Sequence, residues 1–168
     1  MLPLKRILCP TDYSEDARSA LRVANEMALY FAADLTLVHV LPPAKDPAWP
    51  VDGYHVVPVD VGHTPQDHLR NAQQSLSQEA NNYISRDVSL NLEVLRGDPA
   101  DEILELASRI CTEMIVLATH GHSRLRTAIL GSTADRIVRL SPCPVITLHA
   151  GQETSPGPVK LEAAEAES

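Results

Sequence analysis

With 168 residues, 44% of them hydrophobic and 21% charged, the chain suits one globular domain with a real core that needs no disulfide or metal staple. Its formal charge of −8 gives no support to a protein that coats nucleic acid or an anionic membrane, so any anion site must be local. The start MLPLKRILCPTD lacks the basic onset and unbroken apolar stretch of a signal peptide, and no segment approaches the ~20 apolar residues that span a bilayer; the cytoplasm is the expected compartment.

The first predicted element is a short strand over Leu4–Cys9, closed by Pro10. Ser14 is placed to cap a helix with Glu15 and Asp16 in its first turn, and Ala17, Leu21, Ala24, Ala28 and Phe31 recur at helical spacing as a buried face. LTLVHVL, Leu35–Leu41, is largely apolar and β-branched, the pattern of an interior strand, and stops at Pro42 and Pro43. Residues 42–65 hold six prolines and the lone Trp49, which precludes a regular helix or central strand and reads as a long excursion, a lid or a partner contact.

Thr64, Pro65 and Asp67 form a helix start, followed by an apolar stripe of Leu69, Ala72, Leu76, Ala80 and Tyr83. VSLNLEVL, Val88–Leu95, alternates strictly and is expected at an edge or half-covered position. Gly97, Asp98 and Pro99 supply a turn, a cap and a first-turn proline for a third helix facing inward through Ile103, Leu104, Ala107 and Ile110. MIVLA, Met114–Ala118, reads as a central strand, and a helix over Ser132–Leu140 and a strand over Val145–His149 complete the order. Strands alternating with helices predict a single-domain α/β fold, a parallel sheet with helices on both faces that binds ligands beyond the carboxyl ends of its strands. The domain is expected to end near residue 150, with 151–168 an acidic, disordered tail.

The loop ATHGHSRLRTAILGST, from Ala118 to Thr133, is where chemistry concentrates. Gly131 and Ser132 open a helix, whose unpaired N–H groups and positive dipole end suit an anion, and Gly121 allows close backbone approach. His122, Arg124 and Arg126 add local positive charge. Spacing leaves two readings open, a phosphate cradle or an ordinary helix cap. A GxxxxGK[ST] loop is absent, the lysines being Lys5, Lys45 and Lys160, and so is a GxGxxG after a strand.

ILCPTDYS, LVHVL, RGDPADEIL, ATHGHSRLRTAILGS and SPCPVITLH together resemble the universal stress protein family over residues 1–150. The loop of that family's nucleotide-binding branch reads G-x-x-G, nine residues, then G-[S/T]; Gly121, Gly131 and Ser132 match it, while Ala118 replaces the first glycine. The resemblance implies a Rossmann-like five-stranded sheet of order 3-2-1-4-5 with ATP or AMP between the first and fourth strands. It sets Pro10, Thr11 and Asp12 beside ribose and adenine, the Val40 backbone at the adenine edge, and Gly121, His122, Gly131, Ser132 and Thr133 around ribose and phosphates. A divalent ion, magnesium or manganese, would arrive through the phosphates, with no dedicated metal site. It further implies a homodimer through Val145–His149, and an adenine-nucleotide-binding sensor or regulator in the stress response.

Competing readings stand beside these. Asp12 is a ligand residue or a turn former; Ser132 caps its helix, binds phosphate or does both. Alanine at 118 is tolerable if its backbone φ is negative. His120, His122, Ser132 and Asp12 lack the G-x-S-x-G elbow of a hydrolase. His55, Asp60, His63 and His68 match no familiar metal spacing and read as a solvated loop. Cys9, Cys111 and Cys143 read as small core residues rather than reactive thiols. As alternatives in function, a slow ATP hydrolase or phosphoryl-transfer protein would use the same loop, and a nucleotide-independent interaction protein would use the excursion.

Overall fold

The computed structural model of the protein describes residues 4–43, 65–119 and 131–149. The tail from 151, most of the proline-rich excursion, and Gly121, His122, Arg124 and Arg126 lie outside them. The described elements run β1 (Arg6–Pro10), α1 (Glu15–Phe31), β2 (Asp34–Leu41), α2 (Pro65–Tyr83), β3 (Leu90–Arg96), α3 (Pro99–Arg109), β4 (Met114–Ala118), α4 (Ser132–Leu140) and β5 (Val145–Leu148). The five strands form one parallel sheet of order β3-β2-β1-β4-β5, so strand order reverses between β1 and β4.

Strand periodicity divides the core between the faces of the sheet. Ile7, Cys9, Leu35, Leu37 and Val116 point to one face, where Ala20, Leu21, Ala24 and Ala28 of α1 and Leu76 and Ala80 of α2 cover them. Leu8, Val38, Ile115 and Leu117 point to the other, packed by Ala100, Ile103, Leu106 and Ala107 of α3 and Ala134 and Ile137 of α4. Each fully buried leucine or isoleucine contributes about 1.5–3 kcal/mol of apolar burial.

Several boundaries differ from the sequence reading. Pro10 belongs to β1, opposite Val38, because the missing N–H falls where no bond is needed. The Lys5 carbonyl accepts from Asp34 of β2 and the Arg6 carbonyl from Glu113 beside β4, so odd residues of β1 face β2 and even residues face β4. Pro10 therefore turns toward β4 a backbone with nothing to donate. Pairing with β4 covers Ile7 with Met114 and Leu8 with Ile115, and the strands part beyond it. On α2, Leu69 is exposed instead of buried, since the stripe that meets the sheet runs through Ala72, Leu76 and Ala80. Leu106, an unforeseen core residue of α3, is fully buried, whereas Leu104 and Ile110 pack only partly. Cys9 is core and Cys143 half-buried, but Cys111 is exposed, in a left-handed turn (φ 52°) that ends α3 and delivers the chain to β4. Among the described residues no helix is long and apolar enough to cross a membrane.

Candidate functional site

The chain leaves β1 through Thr11–Ser14, and its turn is held by its own side chains. Thr11 Oγ1 accepts from the Tyr13 N–H (3.1 Å) and Asp12 Oδ1 from the Ser14 N–H (3.0 Å). Between them Tyr13 adopts φ 63°, which bulky residues rarely do. Ser14 caps α1 as expected, its Oγ accepting from Ala17 N at 3.1 Å. Asp12 is thus a turn former, and it also lines the cleft described below.

β2 supplies the adjoining wall. The even residues of β2 face β1, since Asp34 N–H bonds the Lys5 carbonyl and the Val38 carbonyl accepts from Thr11 N–H. Val40 has the same parity but lies beyond the last β1–β2 pair, Pro10 with Val38, so its backbone faces the cleft side instead of a paired strand. His39 Nδ1 lies 2.9 Å from the Thr11 carbonyl oxygen, an acceptor only, so Nδ1 carries a proton and donates it. Its ring centroid is 4.4 Å from that of Tyr13. Burial, with the nearby Glu79 charge, pushes the Tyr13 phenol up to about 12. It stays protonated and donates to the Ala72 carbonyl of α2 (3.4 Å).

Across the cleft, Ala118 ends β4 in register with Leu148. The left-handed non-glycine residues among those described are Tyr13, Ala32 and Cys111, so Ala118 has no backbone strain. Thr119 is almost wholly buried: its N–H and Oγ1 both reach the Leu148 carbonyl (2.9 and 3.2 Å), Oγ1 lies 2.5 Å from His149 Nδ1, and its own carbonyl accepts from Gly131 N–H (2.9 Å). Gly131 has φ −57°, so its role is close approach and not a positive φ: a Cβ there would sit 3.3 Å from the Thr119 oxygen. Ser132 does not cap α4. Gly131 holds the cap position, Ser132 is the first helical residue, and among the described residues no side chain caps the leading amides. The start of α4 therefore presents N–H groups and the positive dipole end to the cleft, with no carboxylate or hydroxyl among the described residues bonded to them.

These walls enclose a cleft of about 310 Å³, inside the range of small-molecule sites. Of the residues singled out from the sequence, Pro10, Thr11, Asp12, Val40, Ala118, Gly131, Ser132 and Thr133 line it, while Gly121, His122 and Arg124 lie outside the described residues. His39, Pro99, Ile103, Leu117 and Thr119 line it too and were missed. His39 and Thr119 carry a visible signal, each adjoining a residue already singled out; Pro99 and Ile103 do not, because α3 reaches the cleft only through the crossover. Val38, Ile103, Leu117 and Ile137 make an apolar floor, and Asp12, Ser132, Thr133 and the α4 amides a polar side.

Arg136 of α4 clasps the start of α3, with Nη1 2.8 Å from Asp98 and Nη2 on Asp101. Asp98 also caps α3, accepting from Ala100 and Asp101 N–H groups at 3.1 Å. The Asp101 amide foremost, helped by Arg136, holds the Asp98 carboxyl below the usual carboxylate range. Among the described residues no group of three or more His, Cys, Asp or Glu is placed to hold a metal ion; His55, Asp60 and His63 lie outside them.

The universal stress protein family model matches residues 3–149. A universal stress protein of Methanocaldococcus jannaschii is 27% identical over 145 residues, 86% of this chain and 81% of its own. Among solved structures, the universal stress protein UspA from Lactobacillus plantarum aligns with a TM-score of 0.63 and 25% identity, covering 86% of this chain and 97% of its own. A universal stress protein from Archaeoglobus fulgidus, solved in complex with dAMP, aligns at 0.59 and 21% identity, over 88% and 98% of the respective chains.

Proposed function

The chain belongs to the universal stress protein family, and on that premise we propose that it binds an adenine nucleotide, ATP or AMP, in the β1–β4 cleft and acts in the cytoplasm as a dimeric sensor or regulator. The observation that carries the reading is the cleft itself. It lies at the switch point of the strand order, where doubly wound sheets bind their ligands, and it joins an apolar floor to a helix start whose cap position is a glycine. The relative bound to dAMP lends it support.

In this reading Val38, Ile103 and Leu117 offer the base an apolar bed, and the Val40 backbone its hydrogen-bonding edge. Asp12 and Thr11 stand by the ribose. The α4 amides at Ser132 and Thr133 take phosphate, with Gly121, His122 and Arg124 of the preceding loop completing the cradle. Magnesium or manganese would enter on the phosphates. The dimer would form through β5, an edge of the sheet whose backbone is open to pairing.

Calorimetric titration of the purified protein with ATP, ADP and AMP tests the nucleotide reading; no heat with any of them would sink it. The variant G131A, which forces its new methyl against the Thr119 carbonyl, is expected to weaken binding by roughly tenfold, about 1.4 kcal/mol. Sedimentation equilibrium checks the dimer, and a monomer at micromolar concentration would refute it.

A further inference from the structure

The geometry points to His39 as a positioning residue for this cleft: its Nδ1–H on the Thr11 carbonyl, and its ring against Tyr13, hold the Thr11–Asp12 turn in the shape that lines the site. This rests on the nucleotide reading above. The turn needs holding, because Tyr13 sits in the left-handed region, and the bonds that Thr11 Oγ1 and Asp12 Oδ1 accept from the Tyr13 and Ser14 amides leave the Thr11 carbonyl to another donor. The Thr11 carbonyl also belongs to this turn, and it lies past the last β1–β2 pair.

A regular parallel ladder would supply that carbonyl from the backbone N–H of Val40, the residue two beyond the Val38 carbonyl that Thr11 N–H already bonds. Here the donor comes from the His39 side chain instead, at 2.9 Å. The substitution closes the turn and at the same time leaves the Val40 backbone directed to the cleft. A carbonyl accepts only, so the bond fixes the proton on Nδ1. Tyr13 completes the clamp. Its ring meets the imidazole and its hydroxyl anchors on Ala72 of α2, so the turn is pinned from the sheet and from the helix layer together.

The variants H39L and H39N separate this role from bulk packing. Leucine fills the space without a donor, and asparagine restores an N–H at the δ position of the side chain. Two readouts apply: AMP titration by calorimetry, and hydrogen exchange of the Tyr13 and Ser14 amides without nucleotide. H39L is expected to raise the AMP dissociation constant about five- to tenfold, as for one lost hydrogen bond, and to speed exchange at both amides. H39N should return both to within about twofold of wild type. The proposal is overturned if H39L binds AMP as wild type does, or if H39N is as impaired as H39L. Wild-type protein that binds no AMP would remove the nucleotide reading itself, and the exchange comparison then still decides whether His39 holds the turn.

Discussion

Ala118 stands where the nucleotide-binding loop of the family has glycine, and its backbone explains why that exchange is bearable. It ends β4 in register with Leu148 and outside the left-handed region, so its methyl adds no backbone strain. A118G is accordingly expected to change AMP affinity by less than about threefold while lowering stability by roughly 0.5–1 kcal/mol, the effect of glycine in a strand. Titration together with thermal melting checks both, and a tenfold gain in affinity would show that the methyl does obstruct the ligand. The cysteines give a second test at this scale. Burial pushes the Cys9 thiol up to about 12, whereas Cys111 is exposed. A disulfide reagent near pH 8 should label Cys111 in the native protein and Cys9 only after denaturation; equal rates would contradict the packing of β1.

Among the elements, helix starts illustrate what local sequence can and cannot specify. Ser14 and Asp98 were legible as caps because capping needs only a short polar side chain and amides within three residues. S14A should lower stability by about 1 kcal/mol and the melting midpoint by about 2–4 °C, and a midpoint unchanged within half a degree would deny the cap its role. Ser132 looked equally like a cap and is not one, since Gly131 N–H is drawn to the Thr119 carbonyl and Gly131 itself takes the extended cap conformation. That contact joins the two ends of the loop, and no periodicity encodes it. The Leu69 stripe failed for a related reason: helical spacing identifies a face but not how far along the helix the sheet extends.

Over the whole molecule, long-range charge pairs tie neighbouring elements together within each layer: Arg136 joins α4 to α3, Arg18 joins α1 to the buried Glu79 of α2 at 3.0 Å, and Arg6 joins β1 to Glu113 at 3.1 Å. Three carboxyls give the fold an acid sensitivity with a definite sign. The carboxyls of Glu15, Asp98 and Glu113 all sit below their ordinary values, held there by Arg22 and Arg18, by the Asp101 amide, and by the Lys5 amide respectively. The folded chain therefore binds fewer protons than the unfolded one in this range. The contribution is complete above the unfolded values, near pH 4, and is lost as pH falls through the depressed ones. Melting midpoints should be flat from about pH 7 to 5 and fall below about pH 4, less steeply for D98N and at high salt, because these groups are exposed and screened. A midpoint that holds down to about pH 2.5 would exclude that contribution. The sequence by itself determined the alternation of strands and helices, the caps of α1 and α3, and the strands that are buried on both faces, because each follows from periodicity or from chemistry within a few residues. The strand order was available only through family resemblance. Tertiary structure alone decided that Pro10 opens the gap between β1 and β4, that Thr119 meets Gly131, and that His39 reaches Thr11. Those contacts join residues distant along the chain, which only the assembled sheet brings within hydrogen-bonding range.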